Sequence, residues 1–253
     1  MIIDIQKAKE QLDDYTKNYN SENERIKTKV EHIKRVAELS KKIAKTLNLS
    51  EEEIELAELI GLLHDIGRFE QVKIYNTYSD KDSINHGELG VKILFDDGLI
   101  RKFIETDKYD GTIRNAIINH NRNYIDENLS EKDYLQAQII RDADKTDIFS
   151  ILVEGSKKVA WGKEDLSNEK ISDEIYRQFI EEDRIDYAQR KTAADLLVCH
   201  FKYVYDLNFK ETKEIIKQKQ YIDKLYKKFT FNDEETMRRY NEIYKLAKEK
   251  LEK

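Results

Sequence analysis

Six side chains in this sequence combine a type that holds a divalent cation with a place on or beside an apolar helical stripe: His32, His64, Asp65, His86, His120 and Asp144. Their placement against the apolar residues is informative. His32 shares a helical face with Val36, Leu39 and Ile43, and His64 follows Ala57 and Ile60 at minus seven and minus four. His86 precedes Leu89 and Ile93, and His120 follows Ile113, Ala116 and Ile117. Asp144 lies on the stripe of Ala137, Ile140, Ile148 and Ile151. All are therefore expected to point inward. One imidazole on such a stripe is ordinarily a hydrogen-bonded core residue, but a carboxylate is rarely buried unless it is paired or binds a metal. Four inward imidazoles with Asp65 and Asp144, arriving from separate helices, make a metal centre built of nitrogen and oxygen ligands the economical explanation.

The elements that carry these residues read as helices. The chain has no proline and only eight glycines in 253 residues, and strand alternation is weak throughout. Apolar spacing predicts a helix from Glu24 to Leu47, broken at Asn48-Leu49-Ser50, with Ser50 and Glu53 forming a capping box for the next. Further helices are expected over 51–65, 85–95, 98–107, 111–121, 131–154, 172–180, 184–206, 209–229 and 233–251. The His64-Asp65 step is expected at a helix end, with Gly67 letting the chain turn away and aiming two consecutive side chains at one point. No internal repeat or low-complexity linker divides the chain. All histidines but His200 precede residue 121, however, and the segment after Gly155 is rich in Lys, Tyr and Phe.

Composition narrows the class of protein. With 39% hydrophobic and 38% charged residues, most helices need wide polar faces. The 45 basic and 51 acidic residues give a net charge of -6 without a sustained basic tract, which argues against general nucleic-acid binding and leaves small phosphorylated ligands open. The single cysteine, Cys199, excludes an intramolecular disulfide and a thiolate-rich zinc site. No apolar run approaches a membrane span, and Asp4 and Lys7 interrupt the region where a secretory signal would be apolar, so a cytoplasmic protein is expected.

The order H...HD...H...H...D, carried in EHIKRVAELSKKIA, LIGLLHDIGRFE, SINHGELGVKIL, IINHNRN and IIRDADKTDIF, closely resembles the HD-domain superfamily of metal-dependent phosphohydrolases. The resemblance covers roughly residues 26–155. It implies an all-α HD helical core over 26–155; the helical pattern and composition of the rest make 1–25 an N-terminal helical extension and 156–253 a C-terminal helical subdomain expected to pack on that core. The resemblance also implies that His32, His64, Asp65 and Asp144 bind a first metal, and that Asp65 bridges to a second held by His86 and His120. Asp142 is a rival to Asp144, but both the family pattern and the apolar stripe favour Asp144. The HD-GYP branch, which cleaves cyclic dinucleotides, has paired histidines, a Glu and a GYP triplet. This chain reads His120-Asn121-Arg122-Asn123-Tyr124 instead, and has Thr28 where a three-metal member of that branch places Glu.

The activity implied is cleavage of a phosphomonoester or phosphodiester, with a nucleotide the expected substrate, by a metal-activated hydroxide. One or two divalent ions are expected, of Mn, Fe, Co, Ni or Zn, with Mg possible. Asp65, Arg68 and Lys145 are the candidate catalytic residues, the two cations as phosphate clamps. Asn121 is a candidate outer hydrogen-bonding group. His200 is read as a core histidine, and Trp161, Tyr176, Tyr187, Tyr203 and Tyr205 as core aromatics that are candidates for a base-binding wall. Three other readings are a nucleoside polyphosphate pyrophosphohydrolase, a non-catalytic nucleotide sensor that retains the metal site, and a plain helical interaction protein, the last disfavoured by the complete ligand set.

Overall fold

The protein was analysed as a computed structural model, which describes residues 3–20 and 22–253. It is all-α, with no strand among the described residues. No helix is long and apolar enough to cross a membrane among the same residues. The chain forms two compact units, Met1–Asp144 and Lys145–Lys253.

The first unit opens with α1 (Ile5–Thr16), α2 (Glu24–Thr46) and α3 (Glu51–Leu63). Helices α2 and α3 pack along each other, joined by a short turn in which Asn48 takes the left-handed conformation. The Ser50–Glu53 capping box forms as the sequence predicts, each residue's side chain accepting from the other's backbone N–H. Although the composition calls for wide polar faces, α3 is buried on every side from Leu56 to Leu63, with α1, α2 and α7 around it. Its one buried charge, Glu58, sits 2.7 Å from Lys9 of α1 and 2.8 Å from Lys41 of α2, so a carboxylate 1% exposed is neutralised by two ammonium groups and ties three helices together.

Next come α4 (Gly67–Tyr75), α5 (His86–Val91), α6 (Ile100–Phe103) and α7 (Asp110–His120). A π-helical turn, Lys92–Asp96, continues α5. Helix α4 corrects the expectation that the chain leaves the helix at Gly67. His64, Asp65 and Ile66 form a turn that keeps right-handed backbone, and Gly67 starts a new helix. Its φ is negative, so the glycine serves close approach instead: a Cβ there would lie 2.3 Å from the His86 carbonyl oxygen and 2.6 Å from the Gly90 nitrogen. This crossing of α4 and α5 brings His86 beside the His64-Asp65 turn. The predicted 98–107 helix is only the single turn of α6.

Helix α8 (Glu131–Glu154) carries the end of the first unit and the start of the second. The second unit continues through α9 (Lys157–Trp161), α10 (Asp173–Glu181), α11 (Ala193–Lys202), α12 (Lys210–Gln218), α13 (Tyr221–Lys227) and α14 (Glu234–Glu252). They enclose a core that includes Phe149, Phe179, Leu197, Phe201, Leu225 and Tyr240. Two helices expected to be continuous are broken. In 184–206 a Thr192–Asp195 capping box starts α11, with 3-10 turns at Tyr187–Gln189 and Tyr203–Asp206 flanking it. In 209–229 the left-handed Gln220 separates α12 from α13.

The Gly67 crossing can be tested by adding one methyl group. Gly67→Ala should destabilise the first unit by about 1–3 kcal/mol, the usual cost of forcing atoms into a filled contact. Gly111→Ala, where nothing lies within 4 Å of the new Cβ, should be neutral or slightly stabilising because Ala is the better helix former. Urea unfolding followed by circular dichroism measures both; equal stability of the two variants would refute the tight crossing.

Candidate metal centre

The six candidate ligands come together in the first unit. His32 and His64 are 1% and 0% exposed and Asp65 is 3% exposed; His86 and His120 are equally buried, and Asp144 is partly so. Asp65 lies at the middle with its two carboxylate oxygens facing different groups. Oδ2 is 3.5 Å from His32 Nε2 and 3.4 Å from His64 Nε2. Oδ1 is 3.2 Å from His86 Nε2 and 3.6 Å from His120 Nε2. Asp144 Oδ1 completes the first group, 3.1 Å from His32 Nε2 and 3.7 Å from His64 Nε2. Asp144, and not its neighbour Asp142, joins the cluster. His32, His64 and Asp144 form one set with ligand atoms within 4.8 Å of one another, and His64, Asp65 and His120 form another.

Hydrogen bonding on the far side of the rings decides what these atoms can do. His64 Nδ1 is 2.8 Å from the Gly61 carbonyl oxygen and His120 Nδ1 is 2.6 Å from that of Ile117. A carbonyl oxygen only accepts, so both rings donate from Nδ1. His86 Nδ1 lies 2.7 and 2.9 Å from the two oxygens of Asp80 and is likewise the donor. In the neutral rings, the Nε2 lone pairs of all three histidines then face Asp65, itself an acceptor. The Nε2 atoms of His86 and His120 stand only 2.9 Å apart, and that of His64 is buried without a hydrogen-bond partner. Lone pairs converging in this way are satisfied by protons or by a cation. Imidazole nitrogen with carboxylate oxygen is a donor set suited to divalent transition metals, and the residues fit such a group.

The electrostatics differ between the two sides. Burial disfavours a charge on His64, but the Asp65 charge and the Asp144 and Asp65 carboxylates standing 3.4–3.7 Å from its Nε2 outweigh it and raise the imidazole to about 9. Burial pushes His86 down to about 3, aided by the Arg68 charge and opposed by Asp80, and burial also lowers His120. Asp65 and Asp144 are held well below the ordinary carboxylate range despite burial, Asp65 by Lys29 and His64, Asp144 by His32 and His64.

Several supporting residues carry no signal in the ligand pattern. Lys29, one helical turn before His32 on α2, places Nζ 2.6 Å from Asp65 Oδ2, and its spacing from His32 could have pointed to it. Arg141 is 2% exposed and donates to the carbonyls of Asn119 and Arg122, capping the end of α7 where His120 sits. Asp80, in the stretch between α4 and α5, also accepts from Arg68 Nη1 at 2.9 Å and from Asn121 Nδ2 at 3.1 Å. Neither Arg141 nor Asp80 is found by helical spacing, because each acts on another element.

The remaining candidates are placed as follows. Arg68 Nη1 binds Asp80, Gln71 and the Tyr78 carbonyl, while Nε, 3.6 Å from Asp65 Oδ1, is buried without a hydrogen-bond partner. Lys145 belongs to the second unit and is ion-paired with Asp206 at 2.7 Å. Asn121 donates to Asp80 and Asn85. His200 is buried in the second unit beside Trp161 and Tyr203, and Tyr176 donates to Glu242.

An all-α unit with a bipartite histidine–aspartate cluster is a helical core that offers donor groups for divalent cations. Residues 30–148 match the family model of the HD domain, which is consistent with the HD-domain superfamily of metal-dependent phosphohydrolases for that part of the chain. Members of that family bind divalent metals and are generally hydrolases. Neither a curated protein nor a solved structure matches the chain.

The contrast between the two sides predicts how metal uptake depends on pH. At pH 7 the His64 ring is charged, and coordination through Nε2 must expel its proton. Binding at the His32–His64–Asp144 side should therefore release about one proton and strengthen about tenfold per pH unit up to about pH 9, levelling above it. His86, uncharged above about pH 3, should release none. Calorimetric titration in buffers of different ionisation enthalpy counts the protons; uptake without proton release at pH 7 would contradict the assignment.

Proposed function

We propose that this protein hydrolyses a phosphoester of a small molecule, a nucleotide monoester or diester by preference, at the centre organised by Asp65. The observation that carries this reading is the division of the Asp65 carboxylate, with one oxygen toward His32, His64 and Asp144 and the other toward His86 and His120. Divalent cations bound there would supply charge neutralisation for phosphoryl oxygens and a lowered pKa for water.

His32, His64, Asp65 and Asp144 would hold one cation and Asp65, His86 and His120 the other. The chain's own cations then take the substrate. Lys29 has an ammonium group beside Asp65 on a side chain 16% exposed, so it stands between the buried ligands and solvent. Arg68 turns an unpartnered Nε–H toward the same carboxylate while Nη1 anchors the neighbouring loop. Both groups contact phosphoryl oxygens in this reading, and their charge-assisted hydrogen bonds strengthen as negative charge redistributes in the transition state. Lys145, paired with Asp206, is not assigned a substrate contact.

A metal-supplemented screen over nucleotides and sugar phosphates tests the activity. Orthophosphate released from a monophosphate supports it, and pyrophosphate released from a triphosphate favours the pyrophosphohydrolase reading instead. Nucleotide binding without turnover, under Mn, Co, Ni, Zn and Mg alike, would leave the sensor reading. Asp65→Ala should abolish hydrolysis and most of the bound metal, since one residue serves both sides.

Lys29→Met separates substrate binding from metal binding. Removing a positive charge 2.6 Å from Asp65 should leave metal affinity unchanged or raise it, while kcat/KM falls about 10²-fold through loss of a transition-state donor. Wild-type kcat/KM in that variant would remove Lys29 from the substrate site.

A further inference from the structure

The three rings whose Nδ1 partners are described are not held in the same way. His64 and His120 donate Nδ1–H to a carbonyl three residues earlier in their own helices, Gly61 and Ile117, so helix formation itself orients them. His86 is the first residue of α5 and has no such turn before it. Its ring is turned by a residue outside the helix: Asp80 accepts from His86 Nδ1 through both oxygens, at 2.7 and 2.9 Å. Asp80 is itself fixed from two further elements, by Arg68 Nη1 and Gln71 Nε2 of α4, both at 2.9 Å, and by Asn121 Nδ2 at the end of α7 at 3.1 Å.

We propose that Asp80 is the positioning residue of the metal centre, holding His86 so that its Nε2 lone pair faces Asp65 and thereby determining whether the His86–His120 side binds a cation. The proposal rests on the phosphohydrolase reading only for the identity of the group bound. A carboxylate behind an imidazole fixes the tautomer and makes the ring a stronger ligand than a carbonyl partner would. Of these three rings, His86 is thus the one whose geometry depends on tertiary contacts; Arg68 reaches it through Asp80, and Asn121 both through Asp80 and with its Nδ2 3.3 Å from His86 Nδ1. The same contacts make the loop between α4 and α5 part of the site's support rather than a passive connection.

The test is cobalt(II) titration of the full chain, followed by the visible spectrum and by calorimetry, with Asp80→Ala, Asp80→Asn and Asp80→Glu compared to wild type. Asp80→Ala should weaken the second cobalt ion by about 10- to 100-fold and leave the first within about threefold. Asp80→Asn keeps one acceptor oxygen at nearly the same place and should fall between, and Asp80→Glu should recover part of the loss. In the metal-free protein, nitrogen NMR of the imidazoles supplies a readout that needs no ion. His86 should be the Nδ1–H tautomer in wild type and a mixture in Asp80→Ala, with His64 and His120 unchanged.

A second-ion affinity within threefold of wild type in Asp80→Ala overturns the proposal. Should Asp80→Ala fail to fold, the nearly isosteric Asp80→Asn decides it by the same measure. A wild type that binds two cobalt ions and hydrolyses no phosphoester would overturn the proposed activity, while a loss of the second ion in Asp80→Ala would still establish the role of Asp80.

Discussion

The lone pairs of three imidazoles and two carboxylates are held against one another at the centre of this protein, and most of the first unit can be read as the means of holding them there. Left alone, such acceptors repel, and burial removes the water that would otherwise separate them. The opposition is balanced by cations and protons. Lys29 donates to Asp65, a proton is favoured on His64, and the distances among the remaining atoms suit a divalent ion. The arrangement is stable because each ring is fastened from behind, so the inward lone pairs cannot rotate away.

Helix geometry explains how separate parts of the chain reach one point. The close packing of α2 on α3 sets His32 beside His64, and the uninterrupted right-handed turn after α3 lets adjacent residues, His64 and Asp65, both face the cluster. The missing side chain of Gly67 admits α5, and Arg141 closes the end of α7 behind His120. The Lys9–Glu58–Lys41 contact ties α1 to this assembly at the expense of burying the Glu58 carboxylate under two half-buried lysines. Replacement of Glu58 alone would leave two ammonium groups facing each other, the less favourable way to alter a buried ionic group.

Much of this was legible in the sequence, because helical periodicity reports which face of an element turns inward. The stripes around His32, His120 and Asp144 place those residues inside, and the Ser50–Glu53 pair marks the start of α3. Periodicity is silent about contacts between elements. It gives no reason to select Asp80, which stands outside the α-helices, or Arg141, whose partners lie on α7 and beyond it. Gly67 was open to misreading because glycine serves both helix termination and close packing, and only the neighbouring backbone distinguishes them. The breaks within 184–206 and 209–229 depend on local chemistry: the first is written in the Thr192–Asp195 cap, whereas the second turns on a left-handed glutamine that composition does not favour.

The all-round burial of α3 also bears on how the chain is made. A helix without a solvent face has no stable existence until its neighbours are present. During synthesis α1 and α2 emerge before it and can cover two of its flanks, but α7 follows only after α4, α5 and α6. For that interval a strongly apolar strip, Leu56 to Leu63, lacks one of its covers on the growing chain, and such surface invites association with other unfinished chains. The vulnerable species is therefore a ribosome-bound fragment ending before Asp110, which also lacks His120 and Asp144 and so has only part of the ligand set with which to gain stability from a cation.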